Sequence, residues 1–246
     1  FSVVFGTINI ALTYYLAQLV SGRKVGLVAA ALMACSPMEV HYSQLVRMYT
    51  LGSFFALLGG ASLISAFQTG KKHLVFLWAG IRTLMVWTLP LTAILLGVDF
   101  VLCIWKERKH KLFPSVLASF VVVLALYACF AWKMPQLTAT SAYDEWRYGL
   151  PTPQVSDALM MLVNFTSTAL PIQECRGPVE GGLLAVLYSF AVLFLIGLSF
   201  IPAFSGRWLI WCSAWALIPV FLTWIVSQFT ASFVITRYLM FASPFA

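Results

Sequence analysis

The sequence predicts an all-α fold, a polytopic transmembrane helical bundle of about eight to nine spans with one extracytoplasmic loop that carries an interfacial helix. Composition is the first observation, since 61% of the 246 residues are hydrophobic and only 9% are charged. Soluble domains are roughly half apolar and a quarter charged, so a water-soluble globule is excluded. The second observation is that the apolar runs are unbroken, which is typical of membrane helices and not of alternating barrel strands.

Apolar stretches predict the individual helices, because a helix satisfies its own backbone hydrogen bonds in lipid. The stretches cover residues 3–20, 25–38, 49–67, 74–89, 90–105, 112–132, 183–203 and 208–227, and a last one begins near residue 238. The run 25–38 is short and needs the following polar segment to complete a crossing. Three regions result: membrane helices in 1–132, an extracytoplasmic loop in 133–182, and further helices in 183–246. Both ends begin or stop inside apolar sequence, so we expect the chain to be an internal fragment.

Lysine and arginine residues predict the orientation of the bundle. The chain has 15 of them against 8 acidic residues, a formal net charge of +7. Nine fall in short loops on one face: Arg23, Lys24, Lys71, Lys72, Lys106, Arg108, Lys109, Lys111 and Arg207. The positive-inside rule assigns this face to the cytoplasm. The basic balance therefore indicates topology and not a nucleic-acid partner, and residues 36–49, 133–182 and 230–238 are expected to meet on the extracytoplasmic face.

The loop 133–182 is the longest hydrophilic region of the chain. It contains a cluster of aromatic and charged residues: Tyr143, Asp144, Glu145, Trp146, Arg147 and Tyr148. This composition suits stacking and hydrogen bonding to a sugar, and an ordinary solvated loop is the alternative interpretation. Further on, the apolar residues Val155, Leu159, Leu162 and Val163 have helical spacing. They predict an amphipathic helix over 155–165 that lies at the membrane interface.

Residues 36–49 form the densest polar segment between two predicted membrane helices. Its polar side chains are Glu39, His41, Tyr42, Ser43, Gln44, Arg47 and Tyr49. Such groups are costly at membrane depth unless they line a protein or water-filled cavity, so the segment is a candidate site. The alternative is an interfacial turn with a snorkelling arginine and belt tyrosines. Glu39 and His41 could also bind a divalent metal, but two ligands are a weak signal, and no metal or other cofactor is predicted.

Two short motifs suggest a family. Residues 36–49 contain the elements Ser36-Pro37, Tyr42-Ser43-Gln44 and Arg47-Met48-Tyr49, and residues 236–245 read Thr-Arg-Tyr-Leu-Met-Phe-Ala-Ser-Pro-Phe. These motifs resemble those of the GT-C superfamily of integral-membrane glycosyltransferases, which includes protein O-mannosyltransferases and the lipid A aminoarabinose transferase. The chain departs from the family pattern at Glu39, where relatives often have His, at His41, where they have Tyr, and at Leu45, where they have Glu.

The resemblance implies a reaction and a set of site residues. The reaction is transfer of a sugar from a polyprenyl-phosphate-linked donor to an unidentified acceptor on the extracytoplasmic face, in a multi-pass protein of a prokaryotic inner membrane. The implied donor-phosphate ligands are Arg47, Tyr49, Gln44, Arg237 and Tyr238, and the implied lining of the polar cavity is Glu39, His41 and Tyr42. Guanidinium groups suit this role because they stay charged and bind phosphate oxygens in pairs.

The catalytic carboxylate is not identified within the chain. In relatives it lies in the first extracytoplasmic loop, which would precede Phe1. Weaker candidates for contact with the sugar or acceptor are Asp144, Glu145, Trp146 and Arg147. The implied partners are therefore the lipid-linked donor, membrane lipids and the acceptor.

Two charges lie well inside predicted spans and leave an alternative function open. Arg82 and Asp99 lie about 10 and 14 Å from the turn near 89–90 at 1.5 Å per residue, so a buried structural ion pair is predicted. A proton relay would instead favour a secondary transporter or lipid flippase, although we find no internal repeat of the kind transporters have. A non-catalytic membrane scaffold is a third class. Along one predicted helix, Gly52, Ala56 and Gly60 recur every four residues, which predicts close helix packing.

Overall fold

The structure, a computed structural model, describes residues 1–45, 47–132, 206–229 and 239–245, together with Pro153, Val155, Ala158 and Leu162. Every regular element in these ranges is helical. The α-helices are α1 (Ser2–Ser21), α2 (Arg23–Cys35), α3 (Pro37–Gln44), α4 (Tyr49–Thr69), α5 (Lys72–Thr88), α6 (Ala93–Lys106), α7 (Phe113–Ala131) and α8 (Arg207–Phe229). Two 3₁₀ helices cover Pro90–Thr92 and Met240–Phe245. The all-α class is confirmed for this part of the chain.

Three of these helices are long and apolar enough to cross a membrane. They are α1, α4 and α8, with 20, 21 and 23 residues. Helices α2 and α3 form a fourth candidate span if they are taken together, with a bend of 56° between them. Helices α5 and α6 are shorter, with 17 and 14 residues. The described residues therefore contain three or four candidate spans where eight to nine are predicted for the whole chain, and the predicted helix 183–203 lies outside them.

Helix α4 is the centre of the described fold. In its apolar window 78% of the residues are buried, against 17% in α1 and 33% in α8. It packs against α1 on one side, α5 on another, and the 3₁₀ helix Met240–Phe245 near its beginning. The outer helices consequently expose their apolar side chains, as expected of helices that face lipid.

Small residues on α4 allow this close packing, although not all at the predicted positions. Ala56 is fully buried, and a Cβ on Gly60 would lie 3.0 Å from the ring of Trp215. At Gly52 the nearest atom would be 3.7 Å away, which is an ordinary contact. Gly59, outside the predicted stripe, faces the guanidinium of Arg82, whose Nη1 would be 3.0 Å from an added Cβ. The closest approaches are therefore at two successive glycines.

One end of the bundle collects the nine cations that the sequence assigns to a single face. Gln68 near the end of α4 donates to the carbonyl oxygen of Leu19 in α1 over 3.0 Å. Arg207 at the start of α8 pairs with Glu107 after α6, and Lys111 packs against the turn that ends α4. The helix ends that carry the nine cations therefore meet. We call this region the basic end; its cations are Arg23, Lys24, Lys71, Lys72, Lys106, Arg108, Lys109, Lys111 and Arg207.

The opposite end of the bundle contains α3, the start of α4 and the 3₁₀ helix Met240–Phe245, and we call it the polar end. Thr50 at the start of α4 donates to the carbonyl oxygen of Tyr42 in α3 over 3.1 Å. Near the end of α8, Trp224 and Gln228 donate to the carbonyl oxygen of Pro153 at 3.2 and 2.8 Å. Pro153 thus lies beside the part of α8 that is remote from Arg207, and the side of the loop 133–182 as a whole stays a prediction. Residues 230–238 lie outside the described part of the chain.

The described residues do not establish the interfacial helix predicted over 155–165 as a complete helix. Val155, Ala158 and Leu162 are helical, and the last two are buried. The other residues of this segment, including Leu159 and Val163, lie outside the described residues. The helix therefore stays a prediction.

Candidate functional site

Helix α3 builds the first part of the candidate site from a polar sequence. Ser36 caps its beginning, because the backbone N–H of Glu39 donates to the Ser36 Oγ over 3.4 Å. Pro37 follows as the first helical residue, where its fixed φ and missing N–H cause no loss. The helix ends at Gln44, and Leu45 leaves it with an extended backbone. This short helix places Glu39 against the protein and His41 towards the outside.

Glu39 connects α3 to the 3₁₀ helix Met240–Phe245. Its side chain is 8% exposed, and the Ser243 hydroxyl donates to Glu39 Oε1. From α4, the Ser53 hydroxyl donates to the carbonyl oxygen of Met240 over 3.3 Å. The two segments that carry the motifs, separated by about 200 residues in sequence, therefore touch through a buried carboxylate and one hydroxyl group, and Ser53 adds a bond from α4.

The two tyrosines of the first motif face the interior of the polar end. Tyr42 and Tyr49 are both buried, and their rings meet edge to face with centroids 5.7 Å apart. Asn9 of α1 donates to the carbonyl oxygen of Thr50 over 3.2 Å, directly after Tyr49. Tyr49, a predicted phosphate ligand, is thus packed within the protein as part of the support for this segment. Tyr42, a predicted cavity residue, has the same supporting position.

Three predicted site residues are exposed at the polar end. His41 and Gln44 lie on the outer side of α3, and Arg47 lies in the connection to α4. Within the described ranges, the side chain of Arg47 has no carboxylate partner, since Glu39, Asp99 and Glu107 are all buried. An arginine keeps its charge at all relevant pH values. Among the described residues, the polar end therefore presents a cation without a carboxylate partner, beside two exposed hydrogen-bonding side chains.

Several predicted site residues cannot be compared with the structure. Arg237 and Tyr238, and the loop residues Asp144, Glu145, Trp146 and Arg147, lie outside the described residues. In sequence, Tyr238 directly precedes Leu239, which is fully buried at the polar end.

Arg82 and Asp99 form the predicted ion pair in the middle of the bundle. Both side chains are fully buried, and Arg82 donates through Nε to Asp99 Oδ2 over 2.8 Å and through Nη2 to Oδ1 over 3.3 Å. Trp78 donates to Oδ2 over 2.9 Å, and Trp215 donates to Oδ1 over 2.7 Å. Sequence reasoning missed the two tryptophans. The available signal was general, because buried indole N–H groups usually find an acceptor, but it does not distinguish these two among the nine tryptophans of the chain.

The pair acts as a junction between four helices. Arg82 belongs to α5, Asp99 to α6 and Trp215 to α8, while Arg82 Nη1 also reaches the carbonyl oxygen of Ala56 in α4 over 3.4 Å. Each oxygen of Asp99 accepts two hydrogen bonds, so the carboxylate is saturated. Indole and guanidinium groups do not release protons near neutral pH. The contacts fit a structural ion pair and leave the carboxylate without a proton-exchanging partner among the described residues.

A metal centre has little support in the described part of the chain. That part contains no group of three or more His, Cys, Asp and Glu side chains placed to hold an ion. Glu39 and His41, the pair considered from sequence, are two residues apart on a helix and point to different sides. Glu39 is buried against Ser243 and His41 is exposed.

No protein-family model, curated protein or solved structure matches this chain. The features of the chain that indicate a function are therefore the geometry of the polar end and the resemblance of two short motifs.

Proposed function

We propose that this chain is a multi-pass inner-membrane glycosyltransferase of the GT-C type, with about eight to nine spans within its 246 residues. Its reaction is transfer of a sugar from a polyprenyl-phosphate-linked donor to an acceptor outside the cytoplasm. The observation that carries the proposal is the hydrogen bond between Ser243 and Glu39. It joins the two segments that resemble the motifs of this superfamily, although nothing local in the sequence brings them together.

Arg47 is the proposed ligand of the donor phosphate. The polyprenyl phosphate gains negative charge as it leaves the sugar, and a preorganised cation stabilises that charge in the transition state. Arg47 is exposed at the polar end and has no carboxylate partner among the described residues. Gln44 and His41 offer hydrogen bonds from the adjoining helix. The buried pair Tyr42 and Tyr49 supports this segment from inside.

Arg237 and Tyr238 are proposed as the second half of the phosphate site. They directly precede Leu239 and the 3₁₀ helix Met240–Phe245, which Glu39 and Ser53 hold against α3 and α4. The proposed interfacial helix 155–165 lies beside the lipid chain of the donor, and the loop residues 144–147 contact the sugar or acceptor. We assign the catalytic base to no described carboxylate, because Asp99 and Glu107 are buried and paired with arginines and Glu39 is bonded by Ser243.

The alternative, a secondary transporter or lipid flippase, has less support. The feature that would serve transport is a charged pair that can exchange protons or line a substrate path. Arg82 and Asp99 are fully buried, and four donors saturate the carboxylate. This arrangement favours a fixed junction over a moving relay.

The test compares three variants in membranes that contain the full-length protein. Arg47→Ala removes both the charge and the planar guanidinium group. We expect it to lower the rate of transfer from a labelled polyprenyl-phosphate sugar by roughly 10²- to 10³-fold. Arg47→Lys keeps the charge, so its transfer rate should fall less than that of Arg47→Ala. Arg23→Ala is the matched control, because Arg23 is an exposed cation at the basic end, and its transfer rate should equal that of the unchanged protein.

Normal transfer by folded, membrane-inserted Arg47→Ala would contradict the assignment of Arg47 and make Arg237 the next residue to replace. The transport alternative gives a different readout. Movement of the labelled lipid between leaflets of proteoliposomes without any sugar transfer would favour the flippase and contradict the enzyme.

A further inference from the structure

A groove on the outer side of α6 is the strongest feature that the proposed function does not use. It lies at the basic end and has a volume of about 590 Å³, which falls within the roughly 300–1,000 Å³ of small-molecule sites. One part is apolar and one part is cationic. The apolar part is Phe100, Val101, Ile104 and Trp105, and the cationic part is Lys106, Arg108 and Lys109.

The apolar wall is the outward face of a helix whose other face is buried. Val101 and Trp105 are 57% and 64% exposed, whereas Leu102 and Cys103 are almost fully buried. The Lys106 Nζ lies 4.0 Å from the centre of the Trp105 ring, a cation–π contact at the last turn of α6. Tryptophan beside lysine at a helix end is the arrangement found where hydrocarbon meets lipid headgroups.

The positive charge of the groove is not neutralised from within the described structure. Glu107 lies between Lys106 and Arg108 in sequence, but it is buried and pairs with Arg207, whose own side chain is half exposed. The other described carboxylates are also buried, at Glu39 and Asp99. The outer surface of the described residues therefore carries cations without exposed carboxylates, and the cationic part of the groove is complementary to an anion.

We propose that this groove binds an anionic phospholipid. Lys106, Arg108 and Lys109 hold the phosphate, and an acyl chain lies along Phe100, Val101 and Ile104. The cations, Trp105 and the exposed aliphatic side chains follow one another along the groove. This order favours a lipid, because a soluble anion would contact only the cationic part. This site lies at the end of the bundle opposite to Arg47 and is independent of the glycosyltransferase proposal.

The test measures binding of phosphatidylglycerol and of phosphatidylcholine to the purified full chain by native mass spectrometry. We expect the triple variant Lys106→Gln, Arg108→Gln, Lys109→Gln to lose at least about tenfold in affinity for phosphatidylglycerol, because each cation near an anionic headgroup contributes to binding. The matched control is Arg23→Gln, Lys24→Gln, Lys71→Gln, which removes three exposed cations from the same end. Its affinity should change less than about threefold, because none of these three cations lines the groove and so none contacts the bound headgroup. Equal losses in both triple variants would overturn the site.

Two further measurements distinguish a lipid from a free phosphate. Val101→Ser with Ile104→Ser keeps the cations and should weaken phosphatidylglycerol binding, and these exposed positions leave the core intact. Glycerol 3-phosphate, which has the headgroup phosphate without acyl chains, should bind much more weakly than the lipid. Unchanged lipid affinity in the serine variant, or equally tight binding of glycerol 3-phosphate, would overturn the proposal in favour of a simple anion site.

Discussion

Among single residues, Asp99 has the most completely satisfied environment in the described structure. Removing a charge from water is costly, and the cost is offset only where partners and hydrogen bonds replace the solvent. Asp99 has Arg82 as its counter-ion and two indole donors, Trp78 and Trp215. The ion pair could be predicted because the two charges lie at similar depths on consecutive helices. The participation of Trp215 could not, because α8 is distant in sequence.

Asp99→Asn should destabilise the protein strongly. Asparagine keeps the shape of the side chain, but it leaves the buried guanidinium of Arg82 without a counter-ion. It also replaces one carboxylate oxygen by an NH₂ group, which would face the hydrogen-bond donors that now surround that oxygen. Breaking a buried pair from one side costs about 3–5 kcal/mol of unfolding free energy. Denaturant unfolding in detergent micelles measures this loss. Thr83→Ala is the control, since the Thr83 hydroxyl bonds only within its own helix, to Ala79; an Asp99→Asn protein as stable as this control would contradict the role of Asp99.

At the scale of elements, the apolar runs of the sequence locate the apolar helices well, but they do not locate the polar helix α3. The prediction 49–67 corresponds to α4 at Tyr49–Thr69, and 112–132 corresponds to α7 at Phe113–Ala131. Helix α3 has no apolar stripe, so hydropathy did not predict it. The available signal was Ser36-Pro37-Met38-Glu39, which has the cap residue, the first-turn proline and the acidic third residue of a helix start.

Glycine substitutions should separate packed helix faces from open ones. Gly60→Ala places a Cβ 3.0 Å from the fully buried ring of Trp215, so we expect a loss of about 1–3 kcal/mol from overpacking. In Gly59→Ala the added Cβ contacts Arg82, whose side chain the ion pair with Asp99 holds in place. We therefore expect a similar loss of unfolding free energy. Gly97→Ala is the matched control, because no atom lies within 4 Å of the added Cβ.

The control should gain about 0.5–1 kcal/mol, since alanine loses less backbone entropy than glycine when a helix forms. The measurement is again denaturant unfolding in micelles, carried out on all three variants under one set of conditions. Equal stability of Gly60→Ala and Gly97→Ala would show that α4 does not pack as described.

At the scale of the whole molecule, the charges separate the two ends of the bundle. The basic end collects nine lysines and arginines, and the polar end holds α3 and the 3₁₀ helix Met240–Phe245. The grouping of the cations was predictable, because each lies in a short connection between apolar runs. The contact between Glu39 and Ser243 was not, because its partners are 204 residues apart and no local pattern joins them. The resemblance of the two motifs was the sole indication that they belong together.

The final prediction concerns which end faces which side of the membrane. Starting from a chain whose five cysteines are replaced by serine or alanine, we introduce Gln44→Cys at the polar end or Lys109→Cys at the basic end, both at exposed positions. The positive-inside rule predicts that an impermeant thiol reagent labels Gln44→Cys in intact cells. Lys109→Cys should be labelled only after the membrane is opened, and opened cells provide the control that both thiols can react. Labelling of both variants in intact cells would mean that the two ends do not lie on opposite faces. The reverse pattern would place Arg47 in the cytoplasm, where an extracytoplasmic transfer reaction cannot use it.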